Sequence, residues 1–436
     1  MRPRLLRRAI APLLAACLLG AAALPAGAAQ VAPDSSFAKG KGWLTTSIGN
    51  SPLAAYGVTT MAGGKIVVAG GKYDSQGNAQ VFVVRYHHSG AIDRSFANNG
   101  IYTSNLPASA GSFFATAVGI QPQTGKIVVV GGYGVSAVLV MRLTTDGKLD
   151  RTFGSSHTGV VKKAVQDIGY SLAFTKAGRI LVGSSNKTAL GRPMLVLRFQ
   201  KNGLLDKGFA NDGIARMMFW NGTAASSAAA QSLWVSPKSE VVGFSHLDYI
   251  GGGGGANPGH GSAGIFRLSS TGKPVGSFGT NGHAEIAYQP SPGSFAQWFP
   301  CAMAVNGRQQ VTVTGEGEIG DPYAQIAGKV TSGGNLSRGF GASKNGWAFS
   351  SGITDDSAMN CGSIITPSGG TATGVENWLI GLTASGAPDK RFGSTGLMTL
   401  ATPANIQLNA MLPYGKSGRF LALGGAGNDL YLARFR

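Results

Sequence analysis

The chain has 436 residues, with 68 glycines, 43% hydrophobic residues and only 13% charged ones. That hydrophobic content excludes wholesale disorder, and low charge with high glycine excludes coiled coils and long exposed helices. The formal net charge is +18, which points toward anionic partners.

The first segment is basic, with Arg2, Arg4, Arg7 and Arg8, and then apolar from Ala9 to Ala23. It ends in Leu24-Pro25-Ala26-Gly27-Ala28-Ala29. This order describes a secretory signal peptide over residues 1–28, with cleavage after Ala28. The mature chain, 29–436, then keeps a charge of +14. An alternative is a lipobox at Leu14-Ala15-Ala16-Cys17, which would anchor the chain by a lipid on Cys17. No other apolar run reaches the length of a membrane helix. A periplasmic or secreted location is expected.

From Asp34 onward one string recurs. A Val/Ile-rich run leads through a Gly turn to a second run ending in Gly-Gly. A third run ends in Arg and an apolar residue, followed by Gly, Asp and Phe at fixed offsets. Ala115–Ile120, Lys126–Val130, Val138–Leu143, Asp150 and Phe153 make up one copy. The phenylalanines are Phe37, Phe96, Phe153, Phe209, Phe278, Phe340 and Phe392. Asp stands three residues before five of them, with Val275 and Ser337 as exceptions. Eight residues before that position stands Arg85, Arg142, Arg198, Arg267 or Lys329, with Gly381 as the exception.

Each copy holds about four short strands separated by turn residues. Such units, stacked side by side, predict an all-β, single seven-bladed β-propeller with four-stranded blades. The last copy stops after Arg434-Phe435 without its fourth strand. Asp34 to Thr46 supplies the missing part, so an N-terminal outer strand is expected to complete the C-terminal blade.

These units resemble the delta-60 repeat family of bacterial β-propeller proteins, which carry Gly-Lys-Ile-Val-Val-x-Gly-Gly, Arg-Tyr and Asp-x-x-Phe-Gly. The resemblance runs from about Asp34 to Arg436. It implies repeat architecture and carries over no catalytic residue.

Arg and Asp eight residues apart flank a Gly turn and can face each other across a hairpin. The pairs Arg85/Asp93, Arg142/Asp150, Arg198/Asp206 and Arg434/Asp34 read as structural braces, and the repeated Phe as a wedge between blades. Cys301 and Cys361 align over the same inner-strand position, Thr116, in adjacent copies. A disulfide joining blades five and six is therefore expected.

Short repetitive turns open on one face of the ring and variable loops on the other. The variable loops carry Tyr73, Phe113, Phe114, Trp220, Tyr249, Trp298, Phe299 and Tyr323, which read as ligand-binding candidates. Glu316, Glu318 and Asp321 form a weak candidate cation site, with a solvated acidic loop as the plainer reading. The histidines show no metal-ligand spacing, and no cofactor is expected.

The expected function is a non-catalytic binding or scaffold propeller of the cell envelope. Its partner would be an anionic polysaccharide or a protein on the variable-loop face. The alternative is a propeller lyase or hydrolase acting on an acidic polysaccharide. No specific nucleic-acid partner is expected, and a monomer is expected.

Overall fold

The computed structural model describes residues 29–49, 51–104, 112–186, 192–219, 226–249, 261–288, 298–317, 324–351, 361–400, 403, 406–415 and 417–436. They form seven antiparallel sheets in a ring, a seven-bladed all-β propeller. Blade one contains Leu53–Thr60, Ile66–Tyr73, Ala79–Tyr86 and Ile101–Thr103, from the inner strand outward. Blade two contains Phe113–Ile120, Ile127–Tyr133, Ala137–Leu143 and Val160–Ala164. Blade three repeats the order from Ser171–Phe174 to Ile214–Met217, and blade five from Trp298–Val305 to Trp347–Ser351. Blade six runs from Cys361–Ile365 to Leu397–Thr399. Blade four has two short inner pieces, Ser226–Ser227 and Ser232–Val235, both paired with Val241–Tyr249.

Blade seven is assembled from both parts of the chain. Ile406–Pro413, Phe420–Ala426 and Asp429–Phe435 are completed by Trp43–Thr46, which pairs antiparallel with Asp429–Phe435. No helix among the described residues is long and apolar enough to cross a membrane.

Second and third strands are sandwiched between neighbouring blades, so they read as continuous apolar runs rather than alternating ones. Ala137–Leu143 is buried at every position. The hydrophobic cores are therefore the seams. Val67, Val81 and Phe96 of blade one pack with Phe113, Val129 and Leu139 of blade two.

The repeated residues act together at each seam. Arg85 Nε donates to Asp93 at 2.9 Å, Nη2 donates to Ser95 at 3.0 Å, and Nη1 donates to the Thr145 carbonyl of blade two. Its guanidinium carbon lies 4.7 Å from the centre of the Phe96 ring. Phe96 presses under the turn of blade two at Gly147, where a Cβ would come within 2.7 Å of the ring. That glycine also has φ +89°, so the turn needs it twice over. The next residue, Ala97, donates its N–H to the Asp146 carbonyl at 2.8 Å. Arg142, Arg198 and Arg434 make the corresponding contacts with Asp150, Asp206 and Asp34. Where Val275 replaces the Asp, Arg267 is paired with Glu240 instead, at 2.7 Å.

The sixth blade departs for a physical reason. In six seams the strand-end cation reaches a turn carbonyl of the following blade. After blade six that turn does not exist, because the third and fourth strands of blade seven come from opposite parts of the chain. Gly381 stands where the cation would be, and a Cβ there would lie 2.1 Å from the Phe392 ring. Asp389 is paired with Arg391 on its own turn. Val31 bridges the seam by donating its N–H to the Arg391 carbonyl at 2.8 Å.

Two inner strands are also tied covalently. Cys301 and Cys361 form a disulfide between blades five and six, with Cα atoms 5.6 Å apart. Their 60-residue separation gives about 4 kcal/mol of stabilisation by the chain-entropy model. The Cys301→Ser, Cys361→Ser double variant should lose roughly this amount in urea unfolding.

Burial alone would raise the pKa values of Asp93 and Asp150. Hydrogen bonds from Lys65 and Ser95, or from Lys126 and Thr152, together with the arginine charges, hold both below the usual carboxylate range. Asp34 is lowered in the same way, against burial, by Ser36 and Arg434. A folded pKa below the unfolded value, about 3.9, means that the unfolded chain takes up protons first as pH falls. The braces therefore stabilise fully above about pH 4 and lose this contribution as pH drops through the folded pKa values. Thermal melts should show a steep loss below that pH. Asp34→Asn, which leaves Arg434 buried beside a neutral amide, should cost about 3–5 kcal/mol at pH 7. A variant melting like the parent would show that the closure does not depend on this pair.

Candidate functional site

The inner strands start at the variable-loop face and end at the short-turn face. Four of them carry a β-bulge at the same repeat position. The cross-strand register skips one residue between Ala55 and Gly57, Ala115 and Ala117, Pro300 and Ala302, and Leu408 and Ala410. The skipped residues are Tyr56, Thr116, Cys301 and Asn409. A bulge residue is released from the ladder and re-aimed.

In the other blades the equivalent positions are Tyr170, Gln231 and Cys361, by register against their second strands. All seven line one cavity of about 480 Å³ at the ring axis. Phe114, Ile168, Leu172 and Leu233 add apolar walls. Small residues follow the ring position and let neighbouring inner strands approach. A Cβ on Gly57 would meet the Val118 nitrogen at 2.7 Å, and one on Gly362 the Met411 nitrogen at 2.3 Å.

Each ring side chain is set by local bonds. Asn409 donates to the Ala55 carbonyl at 3.0 Å, across the junction with blade one. The Thr116 hydroxyl donates to the Gly169 carbonyl at 2.7 Å. Gln231 accepts from the His246 N–H at 2.8 Å through its amide oxygen. Among the described residues, the Tyr56 hydroxyl, the Gln231 amide nitrogen and the Asn409 amide oxygen line the cavity without a protein hydrogen bond. Burial raises the Tyr56 phenol above its ordinary value.

A polar cluster stands at the rim in blade three. Asp167 is buried and accepts from the Ile168 N–H at 2.8 Å and the Tyr170 hydroxyl at 2.9 Å. Its other oxygen accepts from Ser185 and Arg192. Burial, and the Asp167 charge beside it, push the Tyr170 phenol up to about 12. Tyr170 is therefore a neutral hydroxyl at ordinary pH, and Asp167 is a fully engaged acceptor rather than a free base.

The aromatic candidates separate on burial. Phe114 lines the cavity, whereas Tyr73 is half-buried with its ring close to Gly71 and is not part of the cavity wall. Phe113 and Trp298 correct the expectation of exposed ligand-binding rings. Phe113 is buried edge-on to Tyr133 at 4.4 Å, and Trp298 is buried edge-on to Trp347 at 5.0 Å. Both open an inner strand, and the first residue of that strand faces the seam rather than the axis. Phe299 is half-buried beside His246, 6.0 Å between ring centres, and is not part of the cavity wall.

Trp220, Tyr323, Glu318 and Asp321 lie outside the described residues, as do the side chain of Tyr249 and the whole segment 1–28 with Cys17. Glu316 is buried within Val311–Gly317. Among the described residues no three His, Cys, Asp or Glu side chains come together as a metal site.

The ring was within reach of sequence reasoning. The alignment that placed Cys301 and Cys361 over Thr116 passes through Tyr56, Tyr170, Gln231 and Asn409 in the remaining copies.

Residues 64–96 and 123–153 match a family model described as a domain of unknown function (DUF5122) beta-propeller. No curated protein matches the sequence. Among solved structures, an ulvan lyase from a new family of polysaccharide lyase, bound to a GlcA(1-4)Rha3S unit, aligns with TM-score 0.51 and 9% identity. That alignment covers 89% of this chain and 95% of the lyase. Virginiamycin B lyase from Staphylococcus aureus, solved with quinupristin, aligns with TM-score 0.49 and 10% identity over 90% of this chain and 98% of that one. An α-L-arabinofuranosidase from Fusarium graminearum, in complex with an iminosugar inhibitor, gives 0.43 and 10% over 91% and 96%. At these identities the likeness is one of fold.

Proposed function

We propose that this chain is an exported, non-catalytic binding propeller of the bacterial cell envelope. Its ligand is a glycan that enters the axial cavity from the variable-loop face. The observation that carries this reading is the ring of seven equivalent positions, one from each blade, which turns amides, hydroxyls and phenol rings toward one space. Such a lining suits sugar hydroxyls and sugar ring faces. The ring side chains are uncharged at neutral pH, so the contact they offer is hydrogen bonding and stacking rather than ion pairing. The lyase of similar fold is bound to a sugar unit, which agrees with a glycan as the ligand class.

The second reading is a lyase or hydrolase acting on an acidic polysaccharide. The rim cluster of Tyr170, Asp167 and Arg192 favours it, because a phenol, a carboxylate and a guanidinium meet beside the cavity. Against it stand the engaged carboxylate and the phenol that stays protonated.

A glycan array probed with the mature protein should yield a ligand. Tyr56→Ala and Asn409→Ala should each weaken its binding about tenfold, the scale of one good hydrogen bond, and Asn409→Ala should also melt slightly lower because it loses the bond to the Ala55 carbonyl. Cleavage of the bound glycan that Tyr170→Phe abolishes would overturn the non-catalytic reading. A ligand unaffected by both alanine variants would remove the axial cavity as its site.

A further inference from the structure

The positive charge of this protein is not spread over the ring. The turns between first and second strands, and those between third and fourth strands, open on one face. Together with the N-terminal segment before Trp43, Arg436 and the strand-end cations beside the turns, they carry 26 Lys and Arg among the described residues, against 8 Asp and Glu. The rest of the described propeller carries 5 against 7. The excess of positive charge therefore lies on the face opposite the variable loops.

The seam chemistry sharpens this asymmetry. Five of those eight acids are buried: Asp34, Asp93, Asp150 and Asp206 in the braces, and Asp389 against Arg391. They neutralise guanidinium and ammonium groups inside the seams and offer little to solvent. Fifteen of the 26 cations are exposed, against two exposed acids, Asp146 and Asp212.

The cations also follow the repeat. The residue directly after the brace position is Arg94, Arg151, Lys207, Arg338 or Lys390 in five blades. The first four are exposed and Lys390 is half-buried. None of the five supplies the strand-end cation of a seam. Equivalent positions in a propeller lie on a circle, so these charges surround the axis instead of following a line. The connections that bear them are nearly equal in length, 14 or 16 residues between the third and fourth strands, which keeps the face level.

We propose that the short-turn face is a docking surface for an anionic phospholipid bilayer, with the mouth of the axial cavity held on the opposite side. A linear acidic polymer crossing the face meets the cations of only some blades at once. A flat anionic sheet meets all of them together, and many weak contacts then act as one strong one. Leu204, one of two large hydrophobic side chains exposed among the described residues, stands on this same face in the turn after Met194–Phe199. It gives the surface an apolar tip at the level of the cations. This inference is independent of the ligand in the axial cavity.

The experiment is co-sedimentation of the mature protein with vesicles of phosphatidylglycerol and phosphatidylcholine in equal parts, beside vesicles of phosphatidylcholine alone. Binding is expected only to the anionic vesicles and should be lost at about 0.5 M NaCl, where screening shortens the range of the charges to a few ångströms. The triple variant Arg94→Gln, Arg151→Gln, Arg338→Gln should bind at least about tenfold more weakly. The control Lys72→Gln, Lys162→Gln, Lys163→Gln removes the same charge from elsewhere on the propeller and should stay within about twofold of the parent. Thermal melts establish that both variants are folded. Equal loss in both variants would reduce the effect to net charge and overturn the face assignment. Absent vesicle binding, together with tight binding to polygalacturonate, would replace the membrane with an acidic polymer and overturn the proposal.

Discussion

Four of the seven seams rest on one guanidinium lying across one phenylalanine. The fork of Arg142 spends its donors in different directions: Nε to Asp150, Nη2 to Thr152, and Nη1 to the Lys201 carbonyl of the next blade and to Gln121. Its face covers the Phe153 ring at 4.5 Å. A buried charge is tolerated only when its donors are matched, and here the match requires the neighbouring blade to be in place. Local hairpin geometry and ring closure are thus satisfied by the same atoms. A lysine offers no planar fork and cannot reproduce this set. Lys329 reaches only the Ala384 carbonyl at 3.2 Å, in the copy where Ser337 replaces the aspartate.

The same constraint distributes charge and sequence freedom. The braces hold the third-to-fourth turns in register, so one face of the ring is fixed in length and chemistry from blade to blade. Its acids are drawn inside and its remaining cations face water. The opposite face takes no part in the seam network, and its loops differ in length between copies. One face is therefore repetitive and basic, and the other is free to vary around a cavity.

At the axis the governing factor is crowding. Seven inner strands converge, and Gly57 and Gly362 show that a single added carbon would collide with the next strand. In four blades a bulge relieves the ladder at that level, and in all seven one side chain turns inward. Two of these side chains are joined as Cys301–Cys361, and the other five keep polar or aromatic groups for the cavity. A feature that arises from packing becomes the candidate binding ring.

The seven phenylalanines, the Asp and Arg offsets and the divided last copy determined the blade number and the closure through Trp43–Thr46, because a repeat that must bury both faces has few ways to do so. Cys301 and Cys361 were pairable because they occupy equivalent positions in adjacent copies. Exposure was not legible in the same way. Phe113 and Phe114 are neighbours in the chain, yet one is core and the other cavity wall, since strand alternation sends them to opposite sides and only the ring says which side is which. The use of Gly381 in place of a cation, and the gathering of positive charge on the short-turn face, also needed the tertiary structure. Both depend on which turn lies against which neighbour, a relation between residues far apart in the chain that composition and spacing do not record.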